Sequence, residues 1–439
     1  GKWNLHNEPF MTRFGFINQF AFRVSYGFVG SIDRNALPFS VLRKVNNYSY
    51  NGEKIMDRYD PSNPSIKWQR QENRNIGFDA SLFNNRINLV VNYYDNDTRN
   101  LLDDKKIAAS TGRVSVSANV ASLNNKGWEI SLRTLNVRTT DFSWVTSVNF
   151  TKNKDKVTET YYQGLDEVSA STNSTFESIY NLYIQGRPVK AFYGYKFAGV
   201  DPYTGNTLAY VDGFDDDGNR LGALNSEGKY VYNMDSDLTT QLANASRGYL
   251  GRSDPPITGG FTTQFNYKRF SLFAQFTYMT GHLARSFQYY ASGGTAGATA
   301  RNLLKIEANR WRKPGDEEHT NIPGLNTVAG THASPWWSSG TNMTHRIASN
   351  IYEMYDNSDI RVVSGNYLRL SSLSFRYNVD DRFCKKLGLK SAYINLTGTN
   401  LFTIAHKKLR GQDPTQSGSS PNVNLSVRPT YSCNLSITF

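Results

Sequence analysis

The 439-residue sequence contains no run of about 18 apolar residues, so no transmembrane helix can be drawn through it. Cysteine is scarce. Cys384 and Cys433 stand far apart with no CxxC, which excludes a disulfide framework and a zinc ribbon. The histidines His6, His282, His319, His332, His345 and His406 show no HExxH or i,i+4 spacing, so no metal site is expected. Only 14 prolines and an ordinary 34 glycines exclude a low-complexity disordered chain. GxSxG, P-loop and other nucleophile–base motifs are absent, so no enzyme, no catalytic residue and no cofactor is expected. The carboxylate pairs Asp103-Asp104 and Glu317-Glu318 read as solvated charge in polar loops. The start, Gly1-Lys2-Trp3, lacks a charged n-region followed by an apolar h-region, so a mature product or a piece of a longer chain is expected. Basic residues outnumber acidic ones 49 to 37, but they are scattered. Without a basic run, nucleic acid is not expected as a partner, and a phosphate-rich membrane surface is the simpler counterpart.

What the sequence does have is aromatics, 13% of residues, in a polar chain of mean hydropathy −0.54. The apolar residues recur with period two. Ten segments alternate in this way: Phe20–Tyr26, Ile76–Leu82, Ile87–Tyr93, Trp128–Leu132, Phe142–Phe150, Phe261–Tyr267, Phe270–Tyr278, Leu373–Tyr377, Ile394–Leu396 and Cys433–Phe439. Short connections follow Leu82, Thr134, Tyr267 and Tyr377, and long ones occupy about 31–73, 98–120, 154–255, 281–361 and 402–428. Short and long alternate, which puts all the long loops at one end. A soluble sandwich or propeller has no reason to do this. A transmembrane barrel does, with tight periplasmic turns and long extracellular loops, and the C-terminus is then periplasmic. One face of each segment is apolar with aromatics at its ends, and the other carries Asn, Ser, Thr, Gln and Arg. Lipid offers no partner to an unpaired backbone N–H, so such a sheet must close on itself. The two longest connections have room for a further strand pair each. Val427–Phe439 alternates and stops on an aromatic, so Phe439 is expected to be the signal read by barrel-assembly machinery.

Several stretches carry a more specific likeness. They are Arg23-Val-Ser-Tyr-Gly27 with Gly30; Asn63-Pro-Ser-Ile-Lys-Trp68; Asn75-Ile-Gly-Phe-Asp79; Phe83-Asn-Asn-Arg86; Asn100-Leu-Leu102; Asn125-Lys-Gly-Trp-Glu129; and Asn149-Phe-Thr-Lys-Asn-Lys154. Further on come Gly186-Arg-Pro188, Phe192-Tyr-Gly-Tyr195, Gly199-Val-Asp-Pro202 with Thr204-Gly205, Trp311 with Pro314, Asn366-Tyr-Leu-Arg-Leu370, Asn400-Leu-Phe402 and Asp413-Pro414. In this order the sequence resembles the SusC/RagA family of TonB-dependent outer-membrane transporters of Bacteroidota. The resemblance implies an all-β transmembrane antiparallel barrel, the C-terminal part of a 22-stranded one, with the plug domain absent from residues 1–439. It implies nutrient uptake of glycan or peptide oligomers with a SusD-like surface lipoprotein as lid, and partnership with the N-terminal plug and barrel half, the TonB system and outer-membrane lipid such as lipopolysaccharide. Trp336, Trp337, Tyr289 and Tyr290 lie in a long loop where a ligand or lid would reach them. Asp215-Asp-Asp-Gly-Asn219 departs from the family pattern and reads as an acidic turn, and Cys433 as a lipid-facing thiol. A second reading stays open: a SusC-like scaffold subunit of a larger outer-membrane complex that moves no nutrient. A third is a soluble glycan-binding β protein.

Overall fold

The computed structural model describes residues 1–11, 13–32, 38–39, 41–50, 53–60, 63–108, 110, 115–161, 184–202, 205–213, 220, 223–225, 227–233, 247–286, 305–324, 355–415 and 427–439. Its strands in chain order begin with β1 Lys2–Trp3, β2 Ile17–Ser31, β3 Val41–Tyr50, β4 Glu53–Asp60, β5 Gln69–Leu82, β6 Ile87–Lys106, β7 Ser115–Arg138 and β8 Phe142–Glu159. There follow β9 Ala191–Tyr195, β10 Phe197–Val200, β11 Thr207–Tyr210, β12 Ala223–Leu224, β13 Tyr230–Asn233, β14 Arg247–Arg252, β15 Ile257–Tyr267 and β16 Phe270–Thr280. The last are β17 Leu283–Arg285, β18 Val362–Ser364, β19 Tyr367–Asn378, β20 Ser391–Ala405 and β21 Thr430–Thr438. Eleven strands form one antiparallel sheet in the order β1-β2-β5-β6-β7-β8-β15-β16-β19-β20-β21. Each of the ten alternating segments lies in one of these strands, Phe439 falling one residue past β21, and β1 is the addition. The two longest connections supply no further strand to this sheet among the described residues. Their strands instead build three small sheets, β9 with β14, β10-β11-β13-β12, and β17 with β18.

Two connections are shorter than the sequence spacing suggested. β6 and β7 continue to Lys106 and from Ser115, and the stretch after β2 holds the hairpin β3/β4. In the β6 extension the alternation is lost in a polar run, Asp95–Asn100 and Asp103–Lys106, whereas the β7 extension alternates only with small residues, Val116, Ala118 and Val120 between Ser115, Ser117 and Asn119.

The cross-strand register lines up the apolar residues. Phe22, Phe78, Val91, Ile130 and Phe150 are successive partners across β2-β5-β6-β7-β8. Phe265, Leu272, Phe375, Leu396 and Cys433 continue the same face across β15-β16-β19-β20-β21. Many of these side chains are exposed, including Trp128, Trp144, Phe270, Phe375, Leu396 and Leu435. From Phe142 to Phe150 the apolar face is about nine residues tall, roughly 20–25 Å for a strand tilted near 40°, the height of an outer-membrane barrel's lipid belt. Above it the face turns charged: Tyr93 and Trp128 give way to Asp95 opposite Lys126, and Phe150 to Lys152 and Lys154.

Most turns at the other end are tight, the β19–β20 connection holding a short helix, Asp381–Lys386, and local chemistry fixes them. Phe83, Asn84 and Asn85 all have positive φ, which asparagine tolerates better than most residues. Lys268, also at positive φ, opens the two-residue turn between β15 and β16. Asn100 and Asn400 adopt positive φ where the register slips, between Thr98 and Leu101 and opposite the Leu370/Ser372 slip. A bulge needs one residue in an unusual conformation, and an Asn before an apolar pair supplies it.

Candidate functional site

The face opposite the apolar belt is a polar wall. Arg23 donates to Asp79 (2.7 Å) and to Asn92 (2.8 Å), across three strands. Ser131 donates to Asn149 (2.9 Å), Tyr94 to Asn153 (2.8 Å), and Ser374 to Asn395 (2.7 Å). Arg23, Asn75, Asn92, Tyr94 and Glu129 line a recess of about 430 Å³ on this wall. Such a surface offers hydrogen-bonding partners to water or a polar solute.

At the long-loop end, segments distant in sequence interlock into a body with its own core. Tyr195 donates its N–H to the Asn357 carbonyl (3.1 Å), and a Cβ on Gly194 would meet that carbonyl at 2.2 Å. Gly205, at φ +70°, lies against the Trp311 indole, where a Cβ would come within 2.2 Å of the ring. Gly324 donates to the Gly205 carbonyl (2.8 Å), and Trp311 donates through its ring nitrogen to Glu317 (3.1 Å). Glu317 is thus a structural acceptor, where the sequence suggested only solvated charge.

Two ion pairs, Arg369–Asp413 and Arg252–Asp155, tie this body to the sheet, and further polar contacts hold it together. Arg369 on β19 donates to Asp413 (2.8 Å), which is fully buried. Arg361 pairs with Asp356 (3.3 Å) and also donates to the Ser286 carbonyl. Asp155 on β8 accepts from Arg252 of β14 (2.6 Å) and from the Val189 N–H (2.7 Å). Gln412 donates to the Arg285 carbonyl (3.0 Å). Several of the stretches that suggested the family resemblance are therefore locks: Gly205 against Trp311, Gly194 against Asn357, and Arg369 on Asp413.

Burial shifts the ionisation of His282 and Tyr193, and hydrogen bonds override it at Asp413. Burial holds His282 below the usual imidazole range, with Arg252 adding to the effect and Asp254 opposing it. It pushes the Tyr193 hydroxyl up to about 12. At Asp413 burial pushes upward, but hydrogen bonds from Thr415 and Arg369 outweigh it, and the carboxyl lies below its ordinary value. A depressed histidine binds its proton more readily in the unfolded segment. Its contribution is fully present above the unfolded pKa of about 6.5 and is lost as pH falls through the folded value. Asp413 acts in the same sense, but only below about 4. Asp359, raised by burial, acts in the opposite sense above about 4. Protection of the amides of residues 281–286 and 362–366, taken relative to the intrinsic exchange rate at each pH, is therefore expected to fall as pH is lowered from 7.5 to 5.5, and His282→Gln is expected to remove that dependence.

Of the residues singled out from the sequence, Trp336, Trp337, Tyr289 and Tyr290 lie outside the described residues, as does Asp215-Asp-Asp-Gly-Asn219. Phe439 is exposed, and its parity with Leu435 and Ile437 puts it in line with the apolar face. Cys433 is exposed on that face and faces Leu396. The sequence placed Arg369 and Asp413 in family-like stretches without giving either a role, and did not single out Arg361 or Asp356. The signal for the first two was a charged residue inside each of two otherwise apolar or turn-like stretches.

No family model matches the chain. Among curated proteins it is 26% identical over 420 residues to "TonB-dependent receptor P3" of Formosa agariphila, an alignment covering 94% of this chain and 37% of the relative. It is 26% identical over 247 residues to "TonB-dependent receptor SusC" of Bacteroides thetaiotaomicron, covering 52% of this chain and 24% of that one. The chain thus spans little more than a third of the length of the first of these relatives. Among solved structures, the RagAB peptide transporter matches with a TM-score of 0.72 at 23% identity, over 100% of this chain and 43% of that one. RagAB in its "open-open" state gives a TM-score of 0.68. The sequence likeness to TonB-dependent receptors runs nearly end to end, and the sheet, with one apolar and one polar face, has the fold of the C-terminal portion of their outer-membrane barrel, so the chain is similar to SusC/RagA-type TonB-dependent receptors.

Proposed function

We propose that this chain completes the barrel of an energised outer-membrane importer of peptide or glycan oligomers. The observation that carries the proposal is a continuous hydrogen-bonding wall leading to a loop body built at one end only of the sheet. In this reading the apolar belt faces lipid, including lipopolysaccharide, the tight turns are periplasmic, and the connections 31–73, 98–120, 154–255, 281–361 and 402–428 are extracellular. Phe439 is periplasmic and serves barrel assembly. The N-terminal plug and barrel half of the same receptor close the sheet, the TonB system drives the plug, and a SusD-like lipoprotein lids the loops. Trp336, Trp337, Tyr289 and Tyr290 touch the oligomer or the lid. Oligomer transport is supported by the peptide cargo of RagAB, to which the fold is similar.

The test is uptake of labelled peptide and glycan oligomers by cells carrying the full-length receptor or lacking it. Loss of the receptor is expected to abolish uptake of one oligomer class. Alanine at both Trp336 and Trp337 is expected to lower uptake by roughly tenfold or more, the effect of losing aromatic hot-spot contacts. Unchanged uptake of every class, with other outer-membrane subunits released when the receptor is deleted, would replace this reading by the scaffold one.

A further inference from the structure

Lys152, Lys154 and Lys156 alternate along β8 and project on the same face as Phe150, directly above the apolar belt. On β7, Lys126 sits opposite Lys154, with Trp128 opposite Lys152 one rung below. All four lysines are exposed, and none has a hydrogen bond or ion pair among the described residues. Like charges directly opposite on paired strands, with Cβ atoms about 5 Å apart, destabilise a sheet. Asp95, the β6 partner of Lys126, offsets one of the four charges, and the other nearby acids are held elsewhere. Asp95 and Asp97 accept from the Asn124 amide at 2.6 and 2.8 Å, and Asp97 also pairs with Arg74 at 3.3 Å. Asp155 points to the other face and holds Arg252. Asp254 pairs with Lys190.

Below the lysines the surface is suited to hydrocarbon. Tyr93 and Trp128 pack with ring centroids 4.9 Å apart, and Ile130, Leu132, Val148 and Phe150 continue downward in register. Tyr and Trp are enriched at the boundary between acyl chains and headgroups. Cations just above that boundary meet the headgroup phosphates.

We infer that Lys126, Lys152, Lys154 and Lys156 form a binding site for the phosphate of an outer-leaflet lipid whose acyl chains lie on Trp128, Ile130 and Phe150. The lipid's negative charge relieves the repulsion between Lys126 and Lys154, and its chains cover the exposed aromatic belt. The inference rests on the reading of this sheet as outer-membrane barrel, with the lysines at the extracellular border.

The test uses full-length receptor extracted from its own membrane, wild type and with all four lysines changed to glutamine, repurified and offered phosphatidylcholine vesicles with or without lipid A. Wild-type protein is expected to retain lipid A over phosphatidylcholine. The glutamine variant is expected to lose this preference by at least tenfold, about fivefold per interfacial charge being the ceiling for each lysine. A variant with four arginines is expected to keep it. Equal retention by wild type and glutamine variant overturns the inference. So does competition by inorganic phosphate at the same concentration as lipid A, which would mark a simple anion site. Capture of neither lipid by folded wild-type protein would overturn the barrel reading itself, which separates the two failures.

Discussion

Replacing Asp413 with alanine is expected to destabilise the docking of the loop body on the sheet by about 3–5 kcal/mol, the cost of leaving the partner of a buried ion pair unmatched. Asp413 is fully buried, and one of its oxygens accepts from Arg369 (2.8 Å), from the Thr415 N–H (2.9 Å) and from the Thr415 hydroxyl (2.7 Å). Arg369 is only slightly exposed and also donates to Thr403 (3.1 Å) on the neighbouring strand. Without the carboxylate, the guanidinium keeps its charge with no counter-ion, and the 407–415 segment loses its anchor. Arg369→Met alone strands the carboxylate in the same way. The double variant Arg369→Met, Asp413→Leu is expected to cost less than the two single effects added, because neither charge is left buried alone. Hydrogen exchange of residues 405–415 in the full-length receptor reads all three. Equal protection in wild type and Asp413→Ala would show that the pair contributes nothing to docking.

The sheet was legible in the sequence and the loop body was not, for a physical reason. In a strand with one face against lipid, period two is enforced wherever the belt runs, so Ile87–Tyr93 and Phe270–Tyr278 announce themselves. The upper half of β19 did not, because the register slips between Leu370 and Ser372. The apolar parity changes there from Leu373 and Phe375 to Leu368 and Leu370. The polar extension of β6 breaks the alternation, and that of β7 carries it only in small residues, Val116, Ala118 and Val120. The loop body depends on pairings between residues more than forty positions apart, such as Arg369 with Asp413 and Gly205 with Trp311. No local pattern encodes such a pairing. The family-like stretches marked where these residues lie, but not that they meet. What the glycines in those stretches do became clear only from what faces them.

Gly127 shows this most directly, and Gly127→Val is expected to prevent assembly of the barrel wall. The residue faces Tyr94 on one neighbouring strand and Asn153 on the other. A Cβ there would stand 2.3 Å from the Lys152 carbonyl oxygen and 2.5 Å from the Tyr94 hydroxyl. That hydroxyl crosses over the glycine to donate to Asn153 (2.8 Å), so one side chain spans three strands above a position that must be bare. Gly259 repeats the device on the apolar face, with the Asn149 carbonyl at 2.3 Å and the Tyr278 hydroxyl at 2.5 Å from a Cβ. Ordinary overpacking costs about 1–3 kcal/mol when side chains can shift. Here the nearer obstacle is backbone, held on both sides by the β7–β8 and β8–β15 ladders, so the cost falls at or above that range. Gly27→Ala is the control: its Cβ would meet nothing within 4 Å, and a change within about 0.5 kcal/mol is expected. The measurement is the folded fraction of full-length receptor in outer membranes, read by the mobility difference between unheated and boiled samples. Adding Tyr94→Ala to Gly127→Val is expected to restore little, because the hydroxyl can be removed and the Lys152 carbonyl cannot. Full recovery in that double variant would instead put the constraint in the tyrosine, and normal assembly of Gly127→Val alone would mean that the β7–β8 pairing has room the structure does not show.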